Sequence, residues 1–155
     1  MYALVVRRPR SAALAVVVAA GMFVSSLGGV ARADHLTRKE RLYQLTNEAR
    51  VDHHRARVAF AVRLSHYAKR HSEAMAARGY LFHSDTSTLQ RVLSRYHWSI
   101  GGENVGVGDS VTSLQAAFMA SKPHRENILR SAFDHTAIGF VRERGRLWVT
   151  VIFYG

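Results

Sequence analysis

The stretch GGENVGVG, residues 101–108, surrounds one acidic side chain, Glu103, with four glycines, one asparagine and two valines. The stretch is short and resembles a β-strand, and glycine inside a strand marks a bend or a close approach to the backbone. Removing a carboxylate from water costs free energy, so Glu103 in an apolar strand requires a polar or charged partner. The identity of that partner is the first functional question that this sequence raises.

Helical patterns and a hairpin pattern flank this strand. Before it, apolar residues recur at helical spacing in three segments, about 40–51, 64–78 and 89–96. After it, Asp109 or Ser110 is predicted to cap a fourth helix, and Pro123 to begin a short fifth helix. The apolar segments AIGFVRE and LWVTVIFY flank RGR, which predicts a β-hairpin. Helices followed by a late antiparallel sheet indicate an α+β domain.

Residues 1–33 are predicted to form a secretory signal peptide. Three arginines precede an apolar run over residues 12–24, and residues 31–33, Ala-Arg-Ala, have the small-x-small form of a cleavage site. The apolar run is shorter than the about 20 residues of a membrane span, so an uncleaved anchor is the second interpretation. Residues 34–155 are then expected to form a single secreted domain with no transmembrane span, and we expect a monomer.

The charge of the chain indicates which partners suit it. It has 22 Lys and Arg against 11 Asp and Glu, a net charge of +11 at pH 7. Four arginines and no acids lie in residues 1–33, which leaves +7 (11 minus 4) on the mature domain. An exported basic domain favours an acidic cell-envelope component or a lipid, and not nucleic acid, whereas a merely solubilising surface is the alternative. The chain has no cysteine, so disulfides and thiol chemistry are excluded.

Two of the nine histidines stand at junctions where functional side chains concentrate. His83 follows a predicted helix end, and His124 opens the short fifth helix. With Glu103 they supply two imidazoles and a carboxylate, a set that can bind Zn²⁺ or another divalent metal with one open position. Alternatively, Glu103 stays outside the metal shell and orients a ligand, or it acts as a general base on a bound water.

The run His83-Ser84-Asp85 contains the residue types of a hydrolytic triad. Adjacent residues rarely reach the mutual geometry of a triad, and GxSxG does not occur in the chain. Ser84 or Asp85 is therefore predicted to cap the next turn.

Five segments occur in the order typical of the CAP superfamily (cysteine-rich secretory proteins, antigen 5, pathogenesis-related 1), whose domain is also called SCP. They are LTNEAR, AKRHSEAMAARGYLFHS, GGENVGVG, AFMASKPHRENIL and AIGF…WVTVIFYG. Over about residues 42–155 the chain resembles the short, bacterial, secreted form of this family. The resemblance implies a three-layer α-β-α sandwich with a central antiparallel sheet and a solvent-filled cavity.

The resemblance also implies which residues line that cavity. His83 in LFHS matches the first histidine of the family, Glu103 in GEN its first acid, and His124 in HRENIL its second histidine. The position of the second acid holds Ser121, which is not a carboxylate. The resemblance therefore implies a three-residue site with Ser121 as a polar neighbour, and this weakens any mechanism that needs two acids.

Three functions from different classes are consistent with these residues. The first is a secreted binding module whose His/Glu cavity holds a divalent metal and whose basic surface engages an envelope-derived or lipid ligand. The second is a zinc-dependent, protease-like hydrolase in which His83 and His124 hold the metal and Glu103 activates its water. The third is a structural or signalling domain with no bound metal. Whether the chain is an enzyme stays open, because a fold does not establish a function.

Overall fold

The computed structural model of the chain describes residues 3–8 and 36–155. Its helices are α1 (Arg38–Asp52), α2 (Val62–Arg78), α3 (Thr86–Leu93), α4 (Val111–Ala120) and α5 (Lys122–Leu129). Its strands are β1 (Ala3–Arg7), β2 (Ala59–Phe60), β3 (Ile100–Gly108), β4 (His135–Glu143) and β5 (Arg146–Tyr154). None of the described helices combines the length and apolarity that crossing a membrane requires.

The sheet has the strand order β1-β3-β5-β4-β2. β5 pairs antiparallel with β3 on one side and with β4 on the other, and β4 and β5 form the predicted hairpin. The outer strand β2 pairs with β4 in parallel over only two residues, which the sequence did not predict. The prediction of an α+β fold with a central antiparallel sheet is confirmed.

Alternation along β5 places a helical layer on each face of the sheet. Val149 and Phe153 face a core that includes Leu42 of α1, Phe118 of α4 and Ile128 of α5. On the opposite face, Ile152 and Tyr154 pack against α2 and α3 through the residues Leu64, Ala68, Leu89 and Leu93. Because successive side chains of a strand point to opposite sides, one strand supplies both cores. The result is the expected three-layer sandwich.

Local signals in the sequence set the helix ends. Ser110, rather than Asp109, caps α4, since its hydroxyl accepts the backbone N–H of Ser113. Gly79 ends α2 in the left-handed conformation with φ of 74°, which glycine adopts at no steric cost.

Gly139 of β4 allows close packing of a helix on the sheet, because a Cβ there would lie 2.0 Å from the backbone nitrogen of Lys69. A bare backbone at this point lets α2 pack directly on the sheet.

The strand β1 lies in the segment that the sequence assigns to a signal peptide. Ala3–Arg7 pairs antiparallel with β3, with Leu4 opposite Glu103, and Val6 is buried in the α2–α3 core. The apolar run and the cleavage site of the predicted signal lie outside the described residues. The division at residue 33 therefore stays a prediction. Removal of residues 1–33 would leave β3 as an edge strand with unpaired backbone groups.

Candidate functional site

Glu103 lies in the middle of β3 and is fully buried, with 0% of its surface exposed. Its neighbour two residues on, Val105, packs against Met75 of α2, so Glu103 faces the α2–α3 layer. On that side the connection between α2 and α3, residues 79–85, passes over the strand. The partners of the carboxylate come from this connection.

Three hydrogen bonds hold the Glu103 carboxylate. The ring nitrogen Nδ1 of His83 lies 2.8 Å from Oε1. The backbone N–H of Ser84 donates to the same oxygen over 2.9 Å, and the Ser84 hydroxyl donates to Oε2 over 2.6 Å. The structure thus brings His83 and Glu103 into direct contact, and the buried carboxylate obtains the donors that its burial requires.

Two residues of α2 form an outer layer around this contact. The Tyr67 hydroxyl donates to the Ser84 hydroxyl oxygen over 2.8 Å. His71 donates from Nε2 to the carbonyl of Phe82 over 2.9 Å, and the same nitrogen lies 3.9 Å from Glu103 Oε1. Burial raises the pKa of Tyr67, which keeps its phenol protonated as a donor. Tyr67 and His71 are four residues apart on a predicted helix, a spacing that indicates that both share one face.

Ser84 has a different role from the predicted one. Asp85 occupies the N-cap position of α3, but no side chain makes a cap hydrogen bond there. The Ser84 hydroxyl instead binds Glu103. The prediction that Ser84 or Asp85 caps the next turn is therefore met in position by Asp85, but without a side-chain hydrogen bond, while the buried carboxylate binds the serine.

The pKa of Glu103 results from opposing effects. Burial alone would raise it, but the hydrogen bond from His83, the charge of His71 and the two hydrogen bonds from Ser84 together lower the pKa below its ordinary value. The carboxylate is consequently charged at neutral pH. A charged acceptor also fixes the tautomer of His83, whose Nδ1 must carry the proton.

This lowered pKa predicts a specific loss of stability in acid. A carboxyl group with a depressed folded-state pKa contributes stability above its unfolded-state pKa and loses it as pH falls toward the folded-state pKa. The free energy of unfolding should therefore fall more steeply below pH 4.5, the ordinary value of the group, in the wild type than in Glu103→Gln. Urea titrations at a series of pH values measure both slopes, and equal slopes would contradict the assignment.

The second ring nitrogen of His83, Nε2, has no hydrogen-bond partner among the described residues. With Nδ1 engaged by the carboxylate, Nε2 is the ring nitrogen that remains for a second partner. Nε2 is buried, and no donor or acceptor among the described residues reaches it. The His83 side chain keeps 19% of its surface exposed through other atoms, while Nε2 itself is buried.

His124 and Ser121 lie together in the helical layer on the other face of the sheet from His83. Nδ1 of His124 is 2.7 Å from the Ser121 hydroxyl, and the ring stacks on Phe118 of α4 at 5.1 Å between centroids. The side-chain amide of Asn104, which follows Glu103 on β3, donates to the His124 carbonyl over 3.1 Å. Successive side chains of β3 thus contact different layers, Glu103 on the His83 side and Asn104 on the His124 side.

A metal fits these residues only in part. Over residues 3–8 and 36–155, no three His, Asp or Glu side chains are grouped so that they could hold a metal ion. The oxygens of Glu103 already accept three hydrogen bonds, which suits a group that orients a ligand rather than a ligand itself. His83 Nε2, with Nδ1 bound to a carboxylate, has the arrangement typical of metal-ligating histidines. The predicted metal pair of His83 and His124 stays a prediction.

The fold and site define a class: a three-layer α-β-α domain with a buried histidine–glutamate pair beside the central sheet. The model of the cysteine-rich secretory protein family (CAP) matches residues 43–153, most of the chain. The chain therefore belongs to this family, as the sequence motifs predicted. A search of curated proteins found no significant match.

Solved structures of bacterial proteins share the fold. An extracellular protein containing an SCP domain from Bacillus anthracis is 26% identical with a TM-score of 0.65, over 76% of this chain and 40% of that one. A cysteine-rich secretory protein from Staphylococcus aureus is 23% identical with a TM-score of 0.63, over 76% and 38%. An outer surface protein from Borrelia burgdorferi is 17% identical with a TM-score of 0.65, over 74% and 89%. The chain thus spans about two fifths of the first two proteins.

Proposed function

We propose that the chain is a secreted binding module of the CAP family whose ligand-contacting atom is His83 Nε2. One observation carries this proposal: a buried imidazole nitrogen that no described residue hydrogen-bonds, on a ring oriented by a buried carboxylate. Buried polar atoms in folded proteins are nearly always hydrogen-bonded, so one without a partner favours an external partner. A divalent metal, with zinc as the predicted ion, is the first candidate for that partner.

Export of the protein is part of the proposal. The signal-like residues 1–33 support it, as do relatives described as extracellular or as an outer surface protein. The net charge of +7 on residues 34–155 (11 minus 4) favours an acidic envelope component or a lipid as the macromolecular partner. A metal on His83 would supply a positive centre to such a partner. Glu103 would hold the imidazole in position.

The hydrolase hypothesis has less support from the site. A general base works best when its pKa lies near the operating pH. The pKa of Glu103 is lowered, and its oxygens are engaged with His83 and Ser84, so the carboxylate is a weak base at neutral pH. This favours the orienting role of Glu103 over the catalytic one.

A zinc titration by calorimetry on tag-free, metal-stripped protein tests the metal part of the proposal. We expect one site per chain in the wild type and no measurable binding in His83→Ala, because the substitution removes the free nitrogen. His97→Ala is the matched control, since His97 is an exposed histidine outside the site. Protons compete with metal for imidazole, so the affinity should fall as the solution is acidified.

The same titration on His124→Ala tests the second predicted ligand. Loss of binding in both His83→Ala and His124→Ala would assign both rings to one metal. Loss in His83→Ala alone would leave His83 as the sole histidine ligand. No zinc binding in the wild type, or an equal loss in His97→Ala, would contradict the metal part of the proposal.

A further inference from the structure

A cleft between α2 and the α3 region carries positive charge that the His83 site does not use. Four arginines line it, Arg63 and Arg70 from α2, Arg91 from α3 and Arg95 just after α3. The cleft has a volume of about 390 Å³, which is within the range of sites for small ligands.

The two arginines of α2 share the cleft because of their helical spacing. On α2, Arg63, Tyr67 and Arg70 are four and then three residues apart, so they share one face. Arg91 of α3 and Arg95, in the turn just after α3, also line the cleft. Its apolar lining residues are Leu64, Val92 and Tyr96. The cleft thus combines an apolar lining with cationic walls.

Among the described residues, the arginines of this cleft form no ion pair. No acidic residue lines it, and in the part of the chain that the structure describes none of its four guanidinium groups has a carboxylate within 4 Å. Elsewhere on the surface cations do find acidic partners, as Arg146 does with Asp109 at 3.6 Å. An anion bound in the cleft would supply the carboxylate-like partner that these guanidinium groups lack.

We propose that this cleft binds phosphate ester groups of the acidic envelope partner. Guanidinium groups match phosphate oxygens with pairs of hydrogen bonds, and arginine is favoured where that geometry is needed. The phenol ring of Tyr67 lines the cleft, while its hydroxyl donates to Ser84, which in turn binds Glu103. The cleft is therefore connected to the His83 site by two hydrogen bonds.

This inference rests on the proposed function only in taking the partner to be acidic. It does not depend on metal binding at His83. It names the chemistry shared by two sources, a phospholipid headgroup and a soluble polymer of glycerol phosphate. Binding is therefore measured in the presence of a chelator, with a soluble glycerol phosphate oligomer as one probe. Vesicles of phosphatidylglycerol, with phosphatidylcholine vesicles as the neutral comparison, are the second probe.

The test compares two double variants of the whole chain with the same change of net charge. Arg70→Glu with Arg95→Glu alters the cleft. Arg57→Glu with Arg142→Glu alters two exposed arginines outside it. We expect the cleft variant to lose at least about tenfold in affinity, because like charges then face the phosphate, and the control to change by no more than about twofold. Comparison within the whole chain cancels any contribution of residues 1–33 to vesicle binding.

The outcomes separate the two sources and the two proposals. Selective loss with both probes supports phosphate recognition in general, and selective loss with the anionic vesicles alone supports a lipid headgroup. Equal losses in cleft and control variants, or no binding of either probe by the wild type, would overturn the inference. His83→Ala should bind both probes like the wild type, so a failed zinc titration leaves this test intact. If the charge reversal prevents folding, Arg70→Gln with Arg95→Gln replaces it.

Discussion

Replacement of Glu103 by alanine should lower the free energy of unfolding by about 3–5 kcal/mol, the range for breaking a buried charged contact. The substitution leaves three buried donors without an acceptor: the His83 Nδ1–H, the Ser84 backbone N–H and the Ser84 hydroxyl. Each unsatisfied buried group carries a desolvation cost of about 1–3 kcal/mol. Urea denaturation followed by circular dichroism measures the change directly.

Glu126→Ala is the matched control for this prediction. Glu126 is an exposed glutamate of α5, 3.9 Å from Lys122, and its removal should change stability by no more than about 0.5 kcal/mol. Glu103→Gln should cost less than Glu103→Ala, because the Ser84 hydroxyl can rotate to accept from the new amide. A loss below about 1 kcal/mol in Glu103→Ala would mean that the hydrogen bonds are not formed in solution.

The elements with local signals were predictable from the sequence. α2 has its apolar spacing and Gly79 at its end, and α4 has Ser110 at its start. The hairpin of β4 and β5 was predictable for the same reason, since two apolar runs flank a turn containing Gly145. The pairing of β1 with β3 was not predictable, because strand order depends on contacts between residues about 100 positions apart.

The acidic residue of the candidate site could be predicted from the sequence, but most of the residues that surround it could not. Glu103 was conspicuous as a carboxylate in an apolar strand, and the CAP resemblance placed His83 beside it. Tyr67 and the role of Ser84 were missed, because the Ser84 hydroxyl reaches Glu103, and the Tyr67 hydroxyl reaches Ser84, only after the α2–α3 connection folds over β3. The sequence motifs also did not show that Glu103 and Asn104, which are adjacent on β3, face different layers. Glu103 faces the layer of His83, whereas Asn104 contacts His124 in the other layer.

Arg50 is the clearest example of a residue whose role is set by tertiary structure alone. It lies in the last turn of α1 with 0% of its surface exposed, although arginine is rarely buried without a partner. Its guanidinium donates four hydrogen bonds, all to backbone carbonyls, of Ala56, Ile128, Arg130 and Phe133. Three of these acceptors are about 80 residues away in the chain, so no local pattern indicates them.

Arg50→Met should therefore lower the free energy of unfolding, because each buried carbonyl left without its donor costs about 1–3 kcal/mol. Methionine fills part of the volume but leaves the carbonyls at the ends of α1 and α5 without their donor. Arg50→Lys should also be destabilising, because one ammonium cannot reach carbonyls that the guanidinium contacts from three nitrogens. Arg41→Met, an exposed position on the same helix, is the control and should be nearly neutral.

The Arg50 variant also separates stability from binding. Arg50 holds the end of α5, and α5 carries Asn127, whose amide donates to the carbonyl of Glu103 over 3.4 Å. The Glu103 side chain, however, takes its donors from the α2–α3 connection on the other face of the sheet. Folded Arg50→Met should therefore bind phosphate esters with unchanged affinity while unfolding at a lower urea concentration, and zinc affinity should also be unchanged where His83 is the sole histidine ligand. A parallel loss of zinc affinity would show that α5, which carries His124, contributes to the zinc site.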